Sequence, residues 1–230
     1  MSDRPRIVLI HALEESVVPS RKAFGMQWPE ALVFDLLDTS LAVDLAATGS
    51  VDAAMIRRFV TLADYAASAS GAGGVAAGIL FTCSAFGPAI EAVKDRLAIP
   101  VLRPNESAFR AALAQGDRIG LVVSFGPSGA ALSSELEAMA AVEGLRITIE
   151  VAVADGALSA LKAGNGEEHD ARVAAAAAGL RDCDVIVLGQ FSLARSRAAV
   201  VQAVGGVEVV TTPDAAVIAL RDLVLARRGE

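Results

Sequence analysis

The turn Phe81-Thr82-Cys83-Ser84-Ala85-Phe86-Gly87 holds the residue in this chain best suited to proton transfer. A thiol exchanges its proton near neutral pH, whereas an amide does not. The unit around that thiol occurs twice. Gly78-Ile79-Leu80-Phe81-Thr82-Cys83 leads into a helical stretch, then Ile99-Pro100-Val101-Leu102 and Pro104. Val185-Ile186-Val187-Leu188-Gly189-Gln190 leads into another helical stretch, then Val207-Glu208-Val209-Val210 and Pro213. The second copy therefore carries Gln190 where the first carries Cys83.

The elements that must position these turns follow from hydrophobic patterning. Short, β-branched apolar runs predict strands at Arg6–Ile10, Ala31–Leu36, Val75–Phe81, Val101–Leu102, Arg118–Val123, Leu145–Val151, Asp184–Leu188 and Val207–Val210. Most are apolar throughout, as in parallel sheets buried on both faces. Ala-rich helical patterns fill Asp52–Ala69, Pro88–Leu97, Glu106–Ala114, Ser128–Glu143, Glu167–Leu180, Leu193–Val204 and Asp214–Arg227. Pro88 in a first turn and Asp214 after Pro213 are start signals. Strict β–α alternation predicts parallel sheets flanked by helices.

The duplication extends to the first strand of each half, Arg6-Ile7-Val8-Leu9 against Arg118-Ile119-Gly120-Leu121. The expected fold is α/β, with two pseudo-symmetric lobes. Each holds a short, mostly parallel sheet flanked by helices, with an active-site cleft between them. The expected boundaries are 1–104 for the first lobe, 105–212 for the second, and 213–230 for a helix returning to the first. In open α/β sheets ligands bind at the carboxyl ends of strands, which singles out the residues just after them. These are His11 to Ser16, Thr82 to Ala85, Ser124 to Ser128, and Gly189 to Ser192.

Cys83 lies between a strand end and a helix start, where backbone N–H groups and the helix dipole favour a thiolate. The hydroxyls of Ser84, Ser124, Ser128 and Ser192, with nearby amides, suit a carboxylate. A clamped carboxylate can accept charge as an enediolate when its α-carbon loses a proton or CO₂, with the thiol as proton donor or acceptor. That chemistry needs no cofactor. His11 reads as a base, a substrate ligand or a polar cap to the first strand. Cys183 precedes a strand beside Asp182 and Asp184 and reads as structural, and His169, after Glu167-Glu168, reads as solvent-facing. Gly71-Ala72-Gly73-Gly74 precedes a strand and so is a loop, not a phosphate-binding turn. In Ser124-Phe125-Gly126-Pro127-Ser128, Pro127 removes one N–H donor.

Composition narrows the classes. A net charge of −7 and a pI near 4.9 argue against nucleic acid. Two cysteines without a CxxC spacing support neither a disulfide framework nor a zinc site, and His11 and His169 form no metal motif. The mean hydropathy is +0.52, yet charged or turn residues interrupt every apolar run before about 18 residues, so no membrane span is expected. The amino-terminal residues lack the apolar region of a signal peptide, and the expected location is cytoplasmic.

At these residues the chain resembles the aspartate/glutamate/hydantoin racemase superfamily, which includes maleate isomerase and arylmalonate decarboxylase. The resemblance rests on Thr82-Cys83-Ser84-Ala85, Leu188-Gly189-Gln190-Phe191-Ser192, Ser16-Val17-Val18-Pro19 and Val122-Val123-Ser124-Phe125. It implies one cysteine after the third strand of each lobe, the two facing opposite sides of the reacting carbon. Here Cys83 fills the first position and Gln190 the second. The resemblance also implies substrate contacts from His11, Ser84, Ala85, Ser124, Phe125, Gln190, Phe191 and Ser192, and a homodimer or higher homo-oligomer. One thiol favours decarboxylation, or another lyase or isomerase step on a small carboxylate, over two-base racemisation. A non-catalytic carboxylate-binding protein and a thiol hydrolase with His11 as base are the alternatives.

Overall fold

Apolar β-branched runs bounded by turn residues become strands, and the Ala-rich stretches between them wind into helices. In the computed structural model, which describes residues 4–229, the chain opens with β1 (Arg6–His11), α1 (Val17–Gln27), β2 (Leu32–Leu37), α2 (Ser40–Thr48) and α3 (Ala53–Ser68). Next come β3 (Ser70–Gly71), β4 (Gly74–Phe81), α4 (Gly87–Lys94), β5 (Val101–Leu102), α5 (Glu106–Leu113), β6 (Arg118–Val123) and α6 (Gly126–Val142). The remainder comprises β7 (Thr148–Val153), α7 (Ala157–Lys162), α8 (Gly166–Ala177), β8 (Val185–Leu188), α9 (Arg197–Val204), β9 (Glu208–Thr211) and α10 (Thr212–Arg228). The chain divides into two units, Met1–Pro104 with Ala216–Glu230, and Asn105–Ala215.

The parallel ladder of the first unit runs β2-β1-β4-β5 and that of the second runs β7-β6-β8-β9. The internal duplication is thus one of strand order as well as sequence. It also reaches the hydrogen bonds beyond the last paired residues. Ile10 pairs with Phe81, and the Thr82 N–H then donates to the Ile10 carbonyl at 3.1 Å. Val122 pairs with Leu188, and the Gly189 N–H donates to the Val122 carbonyl at 2.9 Å.

Side chains alternate across each sheet. In the second unit Ile119, Leu121 and Val123 join a core with Phe109, Leu132 and Leu136, while Val122, Ile186 and Leu188 join another with Val173, Leu193 and Val200. In the first unit Val8, Ile10, Ile79 and Phe81 pack with α3 and α4. There Phe59 lies 5.3 Å from Phe81 and 4.7 Å from Phe86, ring centre to ring centre. That aromatic group ties the turn after β4 to α3.

The structure differs from the sequence reading at several elements. Helices α1, α2 and α7 occupy stretches without a clear apolar periodicity. Only Ser20, Ala23 and Phe24 of α1 are buried, and only Leu41 of α2. Pro19 fits within α1 because the first turn of a helix does not need its N–H. The edge strands β2 and β7 are half-exposed rather than covered on both faces, and β7 starts three residues later than the apolar run at Leu145. The helix expected from Leu193 begins at Arg197, after a 3-10 stretch over Phe191–Ser196. No helix among the described residues is long and apolar enough to cross a membrane.

From Ala216 onward α10 belongs to the first unit, where it approaches β4 at Gly78. A Cβ on Gly78 would stand 3.0 Å from Leu220 Cδ1 and 3.2 Å from Val224 Cγ2, both buried. Arg221 donates to the Gln27 carbonyl at 2.9 Å, holding the same helix against α1. Overpacking of this kind costs about 1–3 kcal/mol. Gly78→Val is therefore expected to lower the unfolding free energy by roughly that amount, read from urea denaturation. Gly25→Ala, at an exposed position of α1 where an added Cβ meets nothing, is the control and should not destabilise.

Candidate active site

The strand-end turns of the two units share one backbone plan. After β4, Thr82 leads to Cys83, which is extended at φ −122 and ψ 120 and opens a 3-10 turn over Ser84–Phe86 before α4. After β8, Gly189 leads to Gln190, extended at φ −136 and ψ 147, which opens the 3-10 stretch over Phe191–Ser196 before α9. Cys83 and Gln190 are therefore equivalent by register, by backbone conformation and by the 3-10 turn that each one opens. Their side chains differ in the one property that matters for proton transfer.

In the first unit Cys83 is partly exposed, Ser84 is partly exposed and Ala85 is open to solvent. Burial pushes the Cys83 thiol up from its usual range, and a contact with the Ala85 N–H offsets this only in part. The sequence reading expected a helix start to favour the thiolate. That expectation fails because α4 begins four residues later, at Gly87, so little of its dipole reaches the sulfur. At neutral pH the group is a thiol.

His11 closes β1 and has no exposed surface. Its Nε2 lies 3.0 Å from Asp35 Oδ1 and its Nδ1 lies 2.8 Å from Ser16 Oγ and 2.9 Å from Thr82 Oγ1. The neutral ring donates from Nε2 to the carboxylate, and Nδ1 accepts from the Thr82 hydroxyl, while the Ser16 hydroxyl beside it donates to the Leu13 carbonyl at 2.7 Å. Burial depresses the pKa of His11, outweighing the hydrogen bond and charge of Asp35. Arg21 Nε donates to Asp35 Oδ2 at 2.8 Å from the solvent side. His11 is thus a buried partner of Thr82, beneath the residue that precedes the thiol. Thr82 was singled out only as a residue that follows a strand, and Asp35 was not singled out in the sequence. A single carboxylate inside the apolar run Leu32-Val33-Phe34-Asp35-Leu36-Leu37 was the available signal.

In the second unit Gln190 Oε1 accepts from the Ser124 N–H at 2.7 Å and from the Ser124 hydroxyl at 2.9 Å. This pair fixes the amide orientation and turns Nε2 toward Ser128 Oγ, 3.5 Å away. The Ser124 donors expected to hold a carboxylate are engaged by Gln190, whose own amide nitrogen faces Ser128. Phe125 is 57% exposed, whereas Phe191 and Ser192 are buried at 2% and 9%. Asn105, also buried, donates to the Gly189 carbonyl at 3.1 Å and braces the turn from the start of α5.

His169 departs from expectation. It is fully buried, on the face of α8 that also carries Val173 and Ala177 at helical spacing. Ser196 Oγ lies 3.1 Å from His169 Nδ1 and donates to Asp170 Oδ1 at 2.6 Å, and Arg195 Nε donates to Asp170 at 2.9 Å. This group ties α8 to the end of the 3-10 stretch beyond Gln190. Cys183 is buried, and its thiol is raised by burial and then by Glu150, in keeping with a structural role.

The doubled parallel α/β architecture, with equivalent strand-end turns in the two units, is the plan to compare with known proteins. The family model for Asp/Glu/hydantoin racemase matches residues 22–220. The chain belongs to the Asp/Glu/hydantoin racemase family. Among solved structures it is similar to a glutamate racemase from Bacillus anthracis, with a TM-score of 0.71 and 14% identity over 99% of this chain and 84% of that one. An aspartate racemase from Picrophilus torridus also has a TM-score of 0.71, at 12% identity over 96% of this chain and 94% of that one. An allantoin racemase from Pseudomonas fluorescens has a TM-score of 0.67, at 16% identity over 97% and 92%. At these identities the likeness speaks to the fold. No curated protein matches the sequence.

Two outcomes are expected from the second-unit contacts. Burial alone would raise the Asp170 carboxyl, but Arg195, Ser196 and His169 together bring it from 3.8 down to about 2. The unfolded chain then binds the proton first, so this contribution is complete above pH 4–5 and is lost as pH falls through about 2. Between pH 6 and pH 2 the wild type should lose about 2 kcal/mol more unfolding free energy than Asp170→Asn, measured by urea denaturation at each pH. Gln190→Leu strands both Ser124 donors and should lower stability by about 1–3 kcal/mol at neutral pH, with Gln190→Glu costing less.

Proposed function

We infer that this chain is a cofactor-independent enzyme acting at the α-carbon of a small carboxylate through an enediolate-like intermediate, with Cys83 as its catalytic thiol. Family membership supports isomerase-type chemistry at carbon. The observation that carries the finer reading is the unlike pair at equivalent turns, where Cys83 can give or take a proton and Gln190 can only donate or accept hydrogen bonds. Two-base racemisation needs an acid or base for each face of the carbon. One thiol suits a one-faced step, in decarboxylation or another lyase or isomerase reaction.

The protonation state of the thiol favours the same direction. A Cys83 thiol raised by burial holds its proton at neutral pH and begins the cycle as an acid. In a malonate-type substrate the bond to one carboxylate breaks, CO₂ departs, and the electron pair enters the enediolate of the remaining carboxyl group. The Cys83 S–H then gives its proton to carbon. Water returns a proton to the resulting thiolate. Binding in the first unit falls to neutral donors beside the thiol, the Ser84 hydroxyl and the Ala85 N–H, and Gln190 and Ser192 are the corresponding polar groups of the second unit's turn.

The test is a panel in D₂O containing aspartate, glutamate, allantoin and a monosubstituted malonate, with α-deuterium followed by NMR and CO₂ release followed in parallel. Loss of a positioned general acid costs about 10²–10⁴ in rate, so Cys83→Ala should lose at least that on any substrate the wild type turns over. Equal turnover by both proteins removes Cys83 from the mechanism. A ligand that raises the melting temperature without any exchange or CO₂ release supports the carboxylate-binding alternative.

A further inference from the structure

The duplicated fold contains its own control for the buried polar group around His11. Carried one residue past the last paired positions, β1 brings His11 level with Thr82, and β6 brings Val123 level with Gly189. On the neighbouring strands Asp35 stands opposite Leu9, and Val151 stands opposite Leu121. Three positions that are His, Asp and Thr in the first unit are therefore Val, Val and Gly in the second. Both units build the same four-strand parallel ladder, so the fold does not require the polar set. It accompanies the thiol.

We propose that His11 and Asp35 are positioning residues for Cys83, acting through the Thr82 hydroxyl. The inference deepens the reading of Cys83 as the catalytic thiol and rests on it. His11 has no exposed surface and Asp35 is 11% exposed at its side chain, so neither offers a face to substrate. The group is closed by Ser16, whose hydroxyl is 3.0 Å from Thr82 Oγ1 and 2.7 Å from the Leu13 carbonyl. Thr82 is consequently held twice, by its N–H to the Ile10 carbonyl and by its hydroxyl to the His11–Ser16 pair. Cys83 comes next, with its side chain on the opposite face of the extended backbone. Fixing Thr82 fixes where the sulfur stands against the Ala85 N–H.

Thr82→Val keeps the shape of the side chain and removes only its hydroxyl, whereas Thr82→Ser keeps the hydroxyl. A second variant, His11→Val with Asp35→Val, gives the first unit the residues of the second and removes both members of the buried pair together. Three readouts are taken on folded protein: iodoacetamide modification of Cys83, followed by mass spectrometry of its peptide apart from Cys183; kcat and KM on any turned-over carboxylate; and the melting temperature. Displacement of a reacting group by about 1 Å can cost up to 10²-fold. Thr82→Val is expected to lower kcat roughly tenfold or more with KM unchanged, and to speed alkylation about threefold as the sulfur gains solvent. Thr82→Ser should restore both.

The double variant should fold and behave like Thr82→Val. A folded Thr82→Val with wild-type alkylation and kcat overturns the proposal, as does a Thr82→Ser variant no better than Thr82→Val. Alkylation is read without substrate, so a failure of the catalytic reading, seen as turnover surviving Cys83→Ala, remains distinct from a failure of this one.

Discussion

The Thr82 N–H donates to the Ile10 carbonyl one step beyond the last paired residues of β1 and β4, and the candidate site of the first unit depends on that bond. Parallel strands carry evenly spaced bonds, so extending the ladder by one step sets the heights of both chains at once. His11 arrives level with Thr82, and the chain leaves the sheet at Cys83. A slip of one residue would send the Thr82 hydroxyl and the Cys83 sulfur to each other's faces. The apolar residues below hold this register. Ile7, Leu9, Ile79 and Leu80 are wholly buried and would be exchanged between faces by the same slip.

The second unit obeys the same backbone rule with different side chains. There the bond from Gly189 N–H to the Val122 carbonyl repeats the geometry, but Val123 and Val151 fill with hydrocarbon the positions that His11 and Asp35 fill with polar atoms. Burying a polar pair costs free energy unless each atom finds a partner. The first unit satisfies both ring nitrogens of His11, Nε2 with Asp35 and Nδ1 with the Thr82 hydroxyl. The apolar version is the simpler way to stabilise such a sheet, since well-packed hydrocarbon leaves no buried polar atom in need of a partner. Retention of the polar version beside the thiol alone is the structural reason to connect it with the thiol.

Much of this architecture was legible in the sequence. The repeated strand–turn–helix–strand unit placed Cys83 and Gln190 at equivalent positions, and both prove to be extended residues opening a 3-10 turn. Helices α1, α2 and α7 were not legible, because their burial comes from a few residues, such as Leu41 in α2, rather than from an apolar stripe. The site was legible where it depends on strand ends and illegible where it depends on contacts across strands. His11 is 24 residues from Asp35 and 71 from Thr82. Only the registers of β1 with β2 and β4 bring them together, and a sequence gives those registers no local signal. His169 was misread for a related reason. Glu167 and Glu168 before it suggested a solvated helix start, whereas one further step around α8 turns the ring inward to Ser196.

The protonation state of Cys83 and the position of Gln190 bear on the same chemical question from different sides. A thiolate at rest would suit a base that begins by removing a proton from carbon. Burial instead keeps the Cys83 proton in place, and a resting acid suits a reaction whose carbanion is made by another bond breaking. At the equivalent turn, Gln190 binds its carbonyl oxygen to Ser124 and turns its amide nitrogen toward the Ser128 hydroxyl. That arrangement can stabilise negative charge on an oxygen, but it has no proton to exchange at neutral pH. The two equivalent turns therefore carry unlike groups, a thiol in one and a hydrogen-bonded amide in the other. The two halves of this chain share a backbone plan and differ in the side chains that they place on it, and the proposed one-faced protonation by Cys83 rests on that difference.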